Sequence, residues 1–185
     1  METTLFFLIL GCKPAGRNTE QHDSFFGIGN SLKDLLPQID KFWPDAGTIH
    51  IDSWRAITVV DTFGIKVLPK SEATVNSLHK LFFLNLGGYK PGDLEEYHYK
   101  LLTIAADKSE AIAKAKKTAF FMHTGFKGAT SHIDDKYGVD VDDVYEIVDI
   151  LPEALKSQYS IEIEEMGLPL TEDQLHIGYL KLSSL

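Results

Sequence analysis

Two stretches of the chain are apolar almost throughout and nearly identical in spelling: Leu5-Phe-Phe-Leu-Ile-Leu-Gly-Cys12 and Leu81-Phe-Phe-Leu-Asn-Leu-Gly-Gly88. A short apolar run closed by glycine reads as a buried strand. The first also has the outline of a lipoprotein signal ahead of Cys12. Two features oppose that reading: no Lys or Arg precedes Leu5, and the apolar run is shorter than the roughly 7–15 residues of a signal core. A targeting segment has no reason to recur in mid-chain, whereas the first strand of a duplicated unit does. The stretch is expected to be a strand.

The pattern that follows each strand also recurs. A glycine turn comes next, Gly11-Cys-Lys-Pro-Ala-Gly16 and Gly87-Gly-Tyr-Lys-Pro-Gly92. Then come Glu20-Gln-His22 and Glu96-Tyr-His98, 76 residues apart, each opening a second apolar segment at 24–29 and 100–105. Helical spacing is next. Leu32, Leu35, Leu36, Ile39 and Trp43 follow Ser31, a possible N-cap, and Pro37 requires that this helix kink or begin late. In the second copy, Asp107 and Glu110 form a capping-box pattern before Ile112, Ala115, Ala119 and Met122. After a loop come His50-Ile-Asp52 and His132-Ile-Asp134, then β-rich stretches ending in Leu-Pro at 68–69 and 151–152. Val139, Val141 and Val144 mark one face of a strand there, with Asp140 and Asp142 directed away from it.

The expected fold is therefore α+β: a tandem duplication of a ββαββ unit, with antiparallel sheets, one helix per repeat and a pseudo-twofold axis. The expected boundaries are 1–70 and 79–152 for the repeats, with a polar linker between them. Residues 153–185 have no counterpart in the first copy. Tyr159-Ser-Ile-Glu-Ile-Glu164 and His176-Ile-Gly-Tyr-Leu-Lys-Leu182 suggest a C-terminal β-hairpin that extends or protects a sheet edge.

Charge narrows the partners. The chain carries 18 basic and 27 acidic residues, a net charge of −9, which disfavours nucleic acid and anionic membranes. No apolar run approaches the roughly 18 residues of a membrane helix. The single cysteine excludes a disulfide framework and fits a reducing compartment, so the cytoplasm is expected.

The chemistry sits in a pair of pairs. Residues two apart on a strand share a face, so Glu20 with His22 and His50 with Asp52 would each present two side chains together. Glu96 with His98 and His132 with Asp134 would do the same in the second copy. Two histidines with carboxylates suit a divalent zinc, manganese or iron, or form a His–carboxylate acid–base pair. The competing reading makes them structural corners that satisfy strand ends and loops. Other features carry less. Gly27-Ile-Gly29 before a helix lacks the third glycine of a dinucleotide turn, and Cys12 has no cysteine counterpart in the second copy. The loop His123–Gly128 reads as a connector, and Trp43 and Trp54 as core residues.

The LFxLxLGG-type strand, the Glu-x-His, the helix with Trp and the His-Ile-Asp together resemble the bacterial family of domains of unknown function numbered 1543, which occurs as one or two copies per chain. The resemblance covers about residues 4–152. It implies the duplicated fold and carries no activity with it. The copies differ from one another at Cys12 against Gly88 and at Asp23 against Tyr99. Two classes of function stay open. One is a binding or interaction module holding a small molecule or protein partner between its halves. The other is a metal-dependent or His/carboxylate hydrolase-type enzyme.

Overall fold

The computed structural model describes residues 2–73, 78–89, 94–117, 139–167 and 170–185. The fold is α+β, built of antiparallel sheets with few helices, and divides into two compact units. One comprises Met1–Val75 with Leu151–Leu185, the other Asn76–Ile150. The C-terminal stretch thus belongs to the first unit.

The first unit opens with β1 (Thr4–Cys12) and β2 (Gln21–Gly29), followed by a 3-10 turn (Leu32–Leu35), α1 (Leu36–Phe42) and β3 (Ile49–Ile57). Pro37 explains the break between the turn and α1. It sits in the first turn of α1, where its missing N–H costs nothing. Ser31 precedes the 3-10 turn without a side-chain capping bond. β1 pairs with both neighbours, and β10 (His176–Lys181) adds to the far side of β3, giving the order β10-β3-β1-β2. Alternation divides β1 between two faces. Phe6, Leu8, Leu10 and Cys12 point into a core shared with Phe25, Leu35, Ile39 and Ile51, so Gly11 lies on the opposite face. Trp43 and Trp54 pack against this core, as the sequence indicates.

The tail does not form a hairpin. β9 (Tyr159–Glu165) pairs with β5 (Phe63–Pro69), and β4 (Val59–Val60) completes that three-stranded sheet. Alternation sets its partner: Ile161 and Ile163 lie opposite Val67 and Ile65, while Lys66 bridges to Glu164 at 3.0 Å. Strand β10 is anchored separately. Asp173 accepts from Thr58 N and Val59 N, His176 stacks on Trp54 with ring centroids 3.9 Å apart, and Leu180 packs on the core.

The second unit contains β6 (Lys80–Tyr89), β7 (Glu96–Ala105), α2 (Lys108–Ala115), β8 (Val139–Glu146) and a helical turn, α3 (Ile147–Ile150). A further short helix, α4 (Glu153–Gln158), leads into β9. Its sheet has the order β7-β6-β8. Helix α2 is capped as its sequence suggests: Asp107 accepts from Glu110 N, and Glu110 accepts from Ala106 N. A helical turn follows β8 where the repeat pattern places a fourth strand. Ala119, Met122, the His123–Gly128 loop, His132 and Asp134 lie outside the described residues.

Each central strand meets its third strand through a β-bulge, a feature that periodicity does not show. The register shifts between Ile9 and Leu10 in one unit and between Asn85 and Leu86 in the other. The extra residues are Asp52 and Asp142. A bulge keeps residues three apart on one face, which is why Val141 and Val144 both reach the second core. Among the described residues no helix is long and apolar enough to cross a membrane.

Candidate metal centre

Gly11 occupies the middle of a row across the first sheet, with His22 opposite it on β2 and His50 opposite it on β3. All three lie on the face away from α1. Lacking a side chain, Gly11 leaves a floor over which the two imidazoles lean. A Cβ there would collide with His50 Nε2 and Cε1 and approach Asp52 Oδ2 to 2.9 Å. Glu20 stands just before β2, and the bulge turns Asp52 toward the same space.

The four side chains converge. His22 Nε2 lies 3.0 Å from Asp52 Oδ2 and 3.8 Å from Glu20 Oε2. His50 Nε2 lies 3.2 Å from Glu20 Oε1 and 3.2 Å from Asp52 Oδ1. Each carboxylate therefore touches both histidines. Close as they are, Asp52 Oδ2 is buried without a hydrogen-bond partner. Its approach to His22 Nε2 is a close contact without a hydrogen bond. His50 is 5% exposed and Tyr179 of β10 covers it, ring centroids 4.3 Å apart. The side chains of His22 and Glu20 remain 46% and 45% exposed, so the site opens to solvent on their side.

These spacings fit ligands of a single ion. Two atoms each about 2.1 Å from a metal stand about 3.0–3.4 Å apart at right or tetrahedral angles. Three of the four separations fall in that range, with Asp52 turning a different oxygen to each histidine, and one ligand atom from each of Glu20, His22 and His50 lies within 4.8 Å of the others. Two neutral imidazoles and two carboxylates carry a charge of about −2, which a divalent cation balances; the mixed nitrogen and oxygen set suits zinc, manganese or iron.

The second unit repeats the floor, and among the described residues it gathers one histidine rather than two. Gly87 lies opposite His98 on β7 and Asp140 on β8, and a Cβ on it would approach Glu96 Oε1 to 2.9 Å. His98 Nε2 is 3.3 Å from Asp142 Oδ2 and 4.0 Å from Glu96 Oε2. The register thus places Asp140 where the first unit has His50, and the bulge residue Asp142 where it has Asp52. His132 and Asp134, which the sequence offered for these places, precede β8. The sequence shows Asp140 and Asp142 only as outward positions of a strand, and the register with β6 is what sets them opposite the Gly87 floor.

Other candidates resolve as packing. Cys12 is fully buried, and burial, reinforced by Glu20, raises its thiol pKa, so the thiolate is disfavoured. The Gly27–Gly29 stretch makes room for Gln38, which donates to Ile28 O and accepts from Ile28 N.

The fold and site together define an antiparallel α+β protein with a His–carboxylate cluster on an open sheet face. Residues 17–67, which include all four clustered side chains, match the family described as Domain of Unknown Function (DUF1543). Among solved structures, the crystal structure of a protein Il1583 from Idiomarina loihiensis is similar, with a TM-score of 0.63, 23% identity and 98% of each chain covered. That likeness is one of fold. No curated protein matches the chain.

Proposed function

We propose that this protein is a metal-binding module whose first unit holds a divalent transition metal through Glu20, His22, His50 and Asp52. The observation that carries the reading is the packing of two imidazole nitrogens and two carboxylates at metal-ligand spacing, with Asp52 Oδ2 buried and unbonded. A structural corner of these residues would be expected to bond that oxygen. Among the described residues the second unit gathers Glu96, His98 and Asp142, with one nitrogen ligand. The common glycine floor and the bulge at the same step of each third strand support a tandem duplication. A cytoplasmic setting fits the single, buried cysteine.

The exposure of His22 and Glu20 favours a second reading, a hydrolase-type enzyme. A metal reached by solvent on that side keeps a position for water, whose deprotonation it promotes. Elemental mass spectrometry of protein purified without a tag or chelator tests the metal reading. About one equivalent of zinc, manganese or iron, absent from the His22→Ala/His50→Ala variant, is expected. A metal-free protein that also fails to take up added metal, with the variant merely melting earlier, would overturn it.

A further inference from the structure

The wall of the site contributed by β10 carries a charge that a bare metal does not call for. Lys181 is the register partner of His50, and Leu180 beside it packs into the core, so Lys181 and Tyr179 both lie on the face of the metal centre. Directly opposed residues on antiparallel strands have Cβ atoms about 4.5–5.5 Å apart, within the reach of a lysine's four-carbon stem. Among the described residues the Lys181 side chain makes no ion pair, while its backbone pairs in the β10–β3 ladder and its carbonyl accepts from Ser184 Oγ. A cation in this position opposes metal binding. It becomes favourable when something negative sits between it and the metal.

We infer, on the footing of the metal reading, that the site takes a small oxyanion, bound through one oxygen to the metal and through another to Lys181. Charge supports this. Glu20 and Asp52 neutralise a divalent ion, so Lys181 leaves the loaded site about one unit positive and selective for an anion. The oxyanion would enter from the side left open by His22 and Glu20, while the Tyr179 ring, itself 62% exposed, keeps His50 covered. Phosphate and carboxylate share the required chemistry. The inference concerns the oxyanion and gives β10, an addition from the far end of the chain, a share in recognition. A lysine on an edge strand also discourages pairing with other chains, and that role is independent of any metal.

The test uses the full chain loaded with Co2+, whose visible spectrum reports its ligands, titrated with inorganic phosphate and separately with acetate, against chloride at equal ionic strength. At least one of the two oxyanions is expected to give a saturable spectral change that chloride does not. In Lys181→Gln its affinity should fall about tenfold, the loss of one charge-assisted contact, while Co2+ binds as tightly as in the wild type or more tightly. Lys181→Arg should retain the affinity within about threefold, since the charge is kept. Co2+ binding without a response to either oxyanion, or a response unchanged in Lys181→Gln, overturns the oxyanion inference and leaves the metal reading standing. Failure of the wild type to bind Co2+ overturns the metal reading, and this inference with it. A Lys181→Gln variant that loses Co2+ and oxyanion together would mark Lys181 as structural and also overturn the inference.

Discussion

Gly11 and His50 face each other across β1 and β3 so closely that a methyl group on the glycine would overlap the imidazole Nε2. The absence of a side chain is what lets a buried histidine lie flat over the sheet beside Asp52. Gly11→Ala should therefore expel His50 from its position. A loss of about 1–3 kcal/mol of stability, the usual cost of overpacking, is expected by thermal or urea denaturation. Metal uptake should fall at the same time. Uptake equal to wild type would show that the floor is not needed.

Gln38 clips the outer edge of β2. Its amide both donates to Ile28 O and accepts from Ile28 N, and β2 is an end strand of its sheet. Two backbone groups that the sheet leaves unpaired are satisfied this way, and the edge is closed to other strands. Gln38→Ala should cost about 1–2 kcal/mol. Hydrogen exchange at the Ile28 amide should accelerate while that of Leu8, in the central strand, changes little. Unaltered exchange at Ile28 would contradict the role.

Glu110 gives the second unit an acid-sensitive helix cap. The backbone N–H of Ala106, and then Lys114, hold its carboxyl below the ordinary value of 4.5. A carboxyl with a lowered folded pKa binds fewer protons than in the unfolded chain. Its contribution is thus fully present above 4.5 and disappears as pH falls through the lower, folded value. The difference in urea midpoint between wild type and Glu110→Gln should be constant near neutrality and vanish below that range. A difference that persists in strong acid would mean that the charge of Glu110 is not what supports α2.

Cys12 should be inert in the native protein. Its side chain is fully buried, and burial, followed by Glu20, raises the thiol pKa. Alkylation by iodoacetamide at mildly alkaline pH should be slow until urea unfolds the first unit, because the thiolate is the reactive form. Rapid labelling of folded protein would show that the β1 end opens readily. Metal loading should slow labelling that proceeds through opening of the first unit, because a ligand that binds only the folded state stabilises it.

Much of the site was legible without coordinates. A strand repeat of two brings Glu20 with His22 and His50 with Asp52 into consideration as pairs, and the repeated apolar run showed where β1 and β6 lie; the structure places Glu20 just before β2 and Asp52 at a bulge. The paired glycines ending those runs are where the floors are found. The second unit's partner for His98 was not legible from spelling. His132-Ile-Asp134 copies the motif of the first unit and lies outside the described residues; the side chain that β8 brings to His98 is Asp142, which the spelling did not single out.

Local order follows from neighbours along the chain, and these the sequence determined by itself: the apolar run of β1, the alternation of β9, the Asp107–Glu110 cap, and the late start of α1 at Pro37. Partner choice is different in kind. β9 and β10 look like two arms of one hairpin, yet Ile161 and Ile163 find their burial beside β5, while Leu180 finds it on the core beneath β3. That outcome depends on apolar surfaces distant in sequence, and no local pattern encodes it. The bulges belong to the same category. Only the packed sheet decides that Asp52 is the unpaired extra residue, and with it whether two histidines and two carboxylates meet over one glycine.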